Sequence, residues 1–538
     1  MATKECYGID LGTTFSAIGR YDEERRLVDI AELENADGRR ILRSAVYYEE
    51  GGNIVVGDTA VNAARQYPDR VITNIKRAMG SDWKKTIDEQ KLTPAKVSAE
   101  ILKALKRDGE TYFSKVIEDV VITVPAYFGD AQRFATEEAA KEAGLNVIRL
   151  LTEPCAAALA FAIDQIEEIA GKNILVYDLG GGTFDVTLIQ PKHNGPEKGI
   201  IALKIGTLLK DGDRELGGTD WNEKLIEFVA QRCKEQYDFD PQLEPVDEAI
   251  LKENCEKAKR DLSRAQKVSI LCDTKGHQVE VNREKFEELT LARLEETKHR
   301  LENVLKQAED KGIKRDKISV LLCGGATAMP MVEKMITEVM GKPPLRHRHP
   351  ELLVVRGAAY AAFLGQEVEA EPEPGEEKEG IPKKEQSHIV VKYKGKDTKI
   401  QLPPEEGLTD VGKPIGVEVI DESDPTKQKT KVACVIENNA PTGEIYEKPF
   451  YTISEGQTEV DIVIHEAKRE NDGNEESLDR WERLAKVSIS GLPPARPAGK
   501  EVRVRLRYDE SGIIRGNAWD VETNEEVAIE IDRKKIKQ

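Results

Sequence analysis

The sequence predicts an α/β domain followed by an all-β antiparallel sandwich. Three observations predict it. Strand patterns alternate with amphipathic helices from the N-terminus to about residue 366. A tract rich in Glu, Pro, Gly and Lys then interrupts the chain at residues 365–386, with almost nothing to bury. Beyond it the apolar period becomes two. The expected division is residues 1–366, an acidic linker at 367–388, and a sandwich at 389–538. At 538 residues the chain is long enough for two or more domains.

The elements justify this in order. Tyr7 to Gly19, "YGIDLGTTFSAIG", reads strand, tight turn, strand. "VVITVPAY" is a buried-strand run that ends at Pro125. "GDAQRFATEEAAKEAGL" follows as a helix, with Asp130 as N-cap and Gly144 as its stop. "EPCAAALAFAIDQ" is a small-residue helix that must pack close to something. "KNILVYDLGGGTFDVTLIQ" is a second strand–turn–strand. "GGTD", Gly217–Asp220, opens a helix, and "EAILKENCEKAKRDLSRAQ" is a polar-faced one. "ISVLL" runs into Gly324 and Gly325 before another helix pattern. In the last third, Val460, Ile462 and Ile464 share one face. Val502, Val504, Leu506 and Tyr508 do the same, with Arg503, Arg505 and Arg507 opposite and a turn at Asp509–Gly512. No helical segment of useful length follows the last strand, so no helical lid is expected.

Charge narrows the partners. Lys and Arg total 80, Asp and Glu total 99, and the formal net charge is −19. That balance argues against a nucleic-acid binder or an anionic-membrane binder. The seven scattered cysteines form no C-x-x-C pair, so neither a disulfide framework nor a zinc site is expected and a reducing cytoplasm is the simpler reading. The start carries no signal-like segment, and no apolar run is long enough to span a membrane.

The Asp-x-Gly turn occurs twice, at Asp10–Gly12 and Asp178–Gly180. Glycine lets backbone approach an anion without a Cβ in the way. Successive turn N–H groups and Thr hydroxyls can cradle phosphate, and the Asp carboxylate can hold Mg²⁺ directly or through water. One copy would be an ordinary hairpin. Two copies point to a duplicated domain whose halves grip one polyphosphate across a cleft. Gly324–Gly325 and Gly217–Gly218 suit further nucleotide contacts, with tight strand–helix turns as the alternative.

At these residues the chain resembles the actin-like ATPases, and specifically the heat shock protein 70 (DnaK-type) chaperone family. "GIDLGTTFS", "VPAYFGDAQRFAT", "EPCAAALAFAID", "DLGGGTFDV", "GGTDWN", "EKAKRDLS" and "GGATAMPMV" fall in family order. "SISGLPPARPAGKEVRVRLRYDESGIIRGNAWD" resembles the family's peptide-binding sandwich. The resemblance implies duplicated ribonuclease-H-like lobes, ATP or ADP with Mg²⁺, and slow ATP hydrolysis that controls the holding of extended apolar peptide segments of unfolded proteins. It implies that Asp10 and Asp178 organise Mg²⁺ and that Asp185 supports the metal shell. Gly12, Thr13, Thr14 and Gly180, Gly181, Gly182 and Thr183 would hold the phosphates. Lys76 would neutralise the γ-phosphate, with Glu153 near the attacking water. Glu256, Lys259, Arg260 and Ser263 would contact adenosine from one helix face. Without the resemblance, Lys76 would read as a solvated lysine and that helix face as a charged surface. Pro125, Arg133 and Glu153 match positions that relay nucleotide state, and Arg149 matches a contact for J-domain co-chaperones. Val417, Ile420, Phe450, Val460 and Ile462 match the peptide pocket, with sandwich core as the alternative.

Four departures stand against the family pattern. Ala326 and Ala328 occupy positions usually Ser and Arg, and the missing arginine would stack on adenine. The segment from "RAMGSDWKKTIDEQ" to "LTPAKVS" is short, which bears on nucleotide exchange factors. The acidic tract replaces a leucine-rich linker strand, leaving Ile389–Val391 as a substitute. The lid is not expected. These departures keep a second reading open: a weakly active or inactive ATP-binding adaptor whose β domain holds a dedicated partner. A filament protein or small-molecule kinase is the third, and the appended sandwich counts against it.

Overall fold

The structure is a computed structural model. It describes residues 5–34, 40–167, 172–193, 195–197, 199–369, 384–403, 408–409, 412–421, 429–437, 440, 442–468, 477–509 and 511–530. The chain divides into two compact units, Met1–Phe128 with Ala135–Leu408, and Gly129–Phe134 with Thr409–Gln538. The first is mixed α/β with several sheets.

Two six-stranded sheets frame the first unit. In one, Cys6–Leu11 turns back into Phe15–Asp22, setting Asp10 opposite Ala17. Leu27–Ile30 extends the antiparallel flank, and Asp119–Val124 and Asn146–Thr152 add parallel strands on the other side. In the second, Asn173–Leu179 turns back into Phe184–Lys192, setting Asp178 opposite Asp185. Lys204–Asp213 extends the antiparallel flank, and Ile318–Cys323 and Leu345–Arg346 add the parallel one. Each sheet therefore centres on one Asp-x-Gly hairpin. All residues of Asn173–Leu179 are buried, as a strand covered on both faces requires.

The helices Glu153–Asp164 and Leu353–Leu364 are rich in alanine and almost wholly buried. A Cβ on Gly357 would strike the backbone of Ala156, so the helices meet backbone to backbone. This is the close packing expected of "EPCAAALAFAID".

The sequence places a boundary at residue 389, and the compact units of the structure divide at 408/409. Ile389–Tyr393 and Lys396–Gln401 form a hairpin, and Lys396–Gln401 pairs in parallel with Ile200–Ala202. Ile389, Ile400, Leu402 and Leu408 join the apolar core around the two alanine-rich helices. Alternation in "HIVVKYKGKDTKIQL" marks strands without saying which sheet they join. The expected linker 367–388 also differs from expectation at its ends, where Glu367–Glu369 pairs antiparallel with Lys384–Gln386. Residues 370–383 lie outside the described residues.

The second unit holds two four-stranded sheets. One runs Thr430–Ile436, Ile415–Ile420, Glu459–Ala467, Trp481–Ser490. The other runs Tyr446–Tyr451, Glu501–Tyr508, Ile514–Asp520, Glu526–Glu530. Every pairing among them is antiparallel. Val502, Val504, Leu506 and Tyr508 face one shared core, while Arg503 and Arg507 are exposed. Tyr508 Oη donates to Lys413 O at 2.8 Å, which satisfies the one polar atom on that face. Among the described residues no helix is long and apolar enough to cross a membrane.

Candidate functional site

The two Asp-x-Gly turns meet. A Cβ on Gly182 would lie 2.5 Å from Thr13 Cγ2, and one on Gly181 would overlap the Thr14 hydroxyl. Glycine is thus required for the turns to approach. The helix Gly218–Tyr237 presses its N-terminus on the second turn: Gly218 N donates to Gly180 O at 2.9 Å and Thr219 Oγ1 to Gly181 O at 2.7 Å. The first N–H groups of that helix are taken up by the second turn, so the helix holds the turn in place and directs its positive dipole end toward it. Gly324, with φ of 80°, brings a third loop against Asp178 Oδ1.

Behind the turns lies a concentration of negative charge. Asp10, Asp178, Asp185 and Glu153 interact with one another in the same buried region. Thr123 Oγ1 donates to Asp10 Oδ1 at 2.9 Å. Lys76, only 5% exposed on a short 3-10 turn, pairs with Glu153 and lies 5.7 Å from the centre of the Phe128 ring. Burial first, and then the Glu153 charge, raises Asp10, Asp178 and Asp185 above the usual carboxylate range. Neither carboxylate oxygen of Asp185 accepts a hydrogen bond. Oxygen-only donors, crowded and under-neutralised, fit a hard divalent cation of the Mg²⁺ kind.

The turns open into a cavity of about 680 Å³. Asp10, Gly12, Thr13, Thr14, Lys76, Glu153, Asp178, Gly180, Gly181 and Thr183 line one end. Glu256, Lys259 and Arg260 of the helix Pro245–Leu262 line the other, with Gly218, Gly324 and Gly325 between. Burial pushes Lys259 down to about 8, against the pull of Glu256, and its Nζ donates to Gly218 O at 2.7 Å. Gly182, Gly217 and Asp185 lie behind this lining, and Ser263 is at the helix C-terminus, outside it.

Sequence reasoning missed Phe15, Arg43 and Val354, which also line the cavity. Arg43 Nη1 donates to both Glu256 oxygens at 2.9 and 2.8 Å, and its guanidinium lies 4.8 Å from the centre of the Phe15 ring. Arg43 holds Glu256 below its usual range although burial pushes the other way. "RRILRS" offers no local signal for this, because Arg43 meets Glu256 only after folding.

The other expected residues disperse. Pro125 is buried just after the strand Asp119–Val124, and Arg133 is buried. Arg149 Nη2 donates to Leu408 O at 2.8 Å. In the second unit, Val417 and Ile462 are sandwich core, at 4% and 3% exposure, and present no surface to a peptide. Ile420, Phe450 and Val460 are half-buried. Tyr451 and Ile453, each 61% exposed, were not singled out by alternation, because it marks inward faces.

Comparison with known proteins bears on this site. The chain matches the model of the family described as Hsp70 protein over residues 6–91, 84–370 and 408–538. Residues 371–407, most of the tract and all of the edge hairpin, fall between the matched segments. The chain is 34% identical over 530 residues to the chaperone protein DnaK of Thermotoga neapolitana, covering 96% of this chain and 79% of that protein. The DnaK proteins of Thermotoga petrophila and Thermotoga maritima match with the same identity and coverage.

Proposed function

The chain belongs to the heat shock protein 70 family, and from that premise we propose that it is an ATP-dependent chaperone. It binds and slowly hydrolyses ATP to govern its hold on extended apolar segments of unfolded proteins. The observation that carries this reading is the meeting of two Asp-x-Gly hairpins over four clustered carboxylates and the buried Lys76.

The residue roles follow from chemistry. Backbone N–H groups at Thr13, Thr14 and Gly181–Thr183, with the Thr hydroxyls, cradle the β- and γ-phosphates, while Gly12 N and Gly180 N close the turns onto Ser16 Oγ and Thr183 O. Mg²⁺, when bound, neutralises phosphate charge and would be held by Asp10 and Asp178, with Asp185 supporting its waters. Lys76 sets a positive charge toward the γ-phosphate and is itself oriented by Glu153. Glu153 accepts a hydrogen bond from the attacking water. Glu256, Lys259 and Arg260 face the nucleoside, and Arg43 fixes the Glu256 carboxylate. Such groups act by position and charge, because phosphoryl transfer needs little covalent help.

The peptide would lie along the second unit near Ile420, Phe450 and Val460, with backbone hydrogen bonds for affinity and an apolar pocket for selection. A J-domain co-chaperone would meet the face around Arg149, and an exchange factor would reset the nucleotide. The net charge of −19 speaks against nucleic acid and anionic membrane, and seven free thiols suit a reducing cytoplasm. The adaptor reading is favoured by one observation, alanine at position 328.

Single-turnover hydrolysis on the whole chain separates the two. Wild type should convert ATP to ADP, and Lys76→Ala should not. Equal background rates in both would leave the adaptor. Release of a fluorescent peptide on adding ATP then tests coupling.

A further inference from the structure

Away from the cleft, the helix Gly218–Tyr237 and the turn joining Lys267–Leu271 to Gln278–Asn282 enclose an unusual group of side chains. Cys233 Sγ, one Asp273 oxygen and one His277 ring nitrogen lie within 4.8 Å of one another. The Cys272 thiol lies beside Cys233 but outside that 4.8 Å set, and it donates to Ile270 O at 3.4 Å, a bond it would give up to reach an ion. Both thiols are fully buried, Asp273 is 1% exposed, and the His277 side chain, 27% exposed, forms the way in. We propose that Cys233, Asp273 and His277, with Cys272 as fourth donor, bind a transition-metal cation of the Zn²⁺ class.

The donor set decides the class. Thiolate sulfur and imidazole nitrogen favour a borderline-soft ion, and an oxygen-seeking ion such as Mg²⁺ would leave the sulfurs unused. One helix and one hairpin turn converge, so the site staples two elements.

The turn is held without the ion. Asp273 Oδ1 accepts from Lys275 N at 2.9 Å and His277 N at 3.1 Å, and Asp247 Oδ1 accepts from Thr274 N at 2.8 Å. Oδ2 is left facing the His277 ring, 2.6 Å from Nδ1. The Tyr237 ring stacks on His277 at 4.3 Å and 16°, and its hydroxyl donates to Gln278 O at 2.9 Å. These supports orient the ring as outer contacts orient metal-binding histidines. Around a tetrahedral ion the donors stand about 3.5 Å apart, so Oδ2 and Nδ1 separate slightly while the sulfurs draw in. Binding releases the thiol protons to solvent.

Two thiols, a carboxylate and an imidazole could also be no more than a capped turn over a small core. Cobalt distinguishes these. Reduced, metal-stripped whole chain is titrated with Co²⁺. One equivalent should give a thiolate-to-cobalt charge-transfer band and visible bands of tetrahedral cobalt, both bleached by Zn²⁺. A sulfur band from cobalt at the cleft, where Cys323 adjoins Asp178, would survive Cys233→Ser. Cys233→Ser and His277→Gln should each weaken Co²⁺ binding at least ~10-fold, with far-ultraviolet circular dichroism unchanged. Cys434→Ser should change nothing. No sulfur band at saturating Co²⁺, or a band that survives either Cys233→Ser or His277→Gln at full affinity, overturns the proposal.

Discussion

Lys76 is buried against a carboxylate and an aromatic ring, where a lysine without a task would be costly. Lys76→Ala should lower single-turnover hydrolysis by about 10²–10³-fold, while ATP affinity measured by calorimetry changes by less than about tenfold. Ala328 is exposed at the end of the short turn Gly325–Ala328, which leaves room for a longer side chain. Ala328→Arg should tighten ADP binding by about 2- to 30-fold, the range of a cation over an aromatic base. Unchanged affinity would mean that Arg43 and Arg260 already suffice at the nucleoside end. Much of this site was legible in the sequence, since Asp and Gly in a strand–turn–strand pattern have few other reasons to recur. Arg43 and Phe15 were not, because their roles depend on partners far along the chain.

At the scale of elements, the two alanine-rich helices are tied at their ends by Asp164. It accepts from Arg356 Nη2 at 3.1 and 2.9 Å and from Tyr360 Oη at 3.1 Å, with His347 nearby. Burial alone would raise its carboxyl, yet His347, Arg356 and Tyr360 hold it below the usual range. The stabilisation is therefore present above about pH 4, where the unfolded group is ionised, and lost as pH falls through the lowered folded value. Asp164→Asn should cost about 2 kcal/mol near neutrality, with a smaller difference from wild type in acid. Urea denaturation at several pH values reads both. Helix positions such as this were legible from small-residue runs and caps. The pairing of the edge hairpin Ile389–Gln401 with Ile200–Ala202 was not legible, because strand pairing is chosen by three-dimensional neighbours, not by local alternation.

At the scale of the molecule, the first unit ends at Leu408, not at the acidic tract. Ile389, Ile400, Leu402 and Leu408 are each at most 6% exposed. Each buries apolar surface worth about 1.5–3 kcal/mol as an upper estimate. A fragment of residues 1–408 should therefore melt well above one of residues 1–388, by at least about 5 °C in a scanning experiment. Equal melting temperatures would return the hairpin to a dispensable tether. The pairing of Glu369 with Lys384 carries a further consequence. Chain that departs at one of these residues comes back at its neighbour, so the intervening fourteen positions close a ring whose size costs little. That stretch is a natural docking port for an engineer: a fluorescent protein spliced there should leave ATP turnover intact.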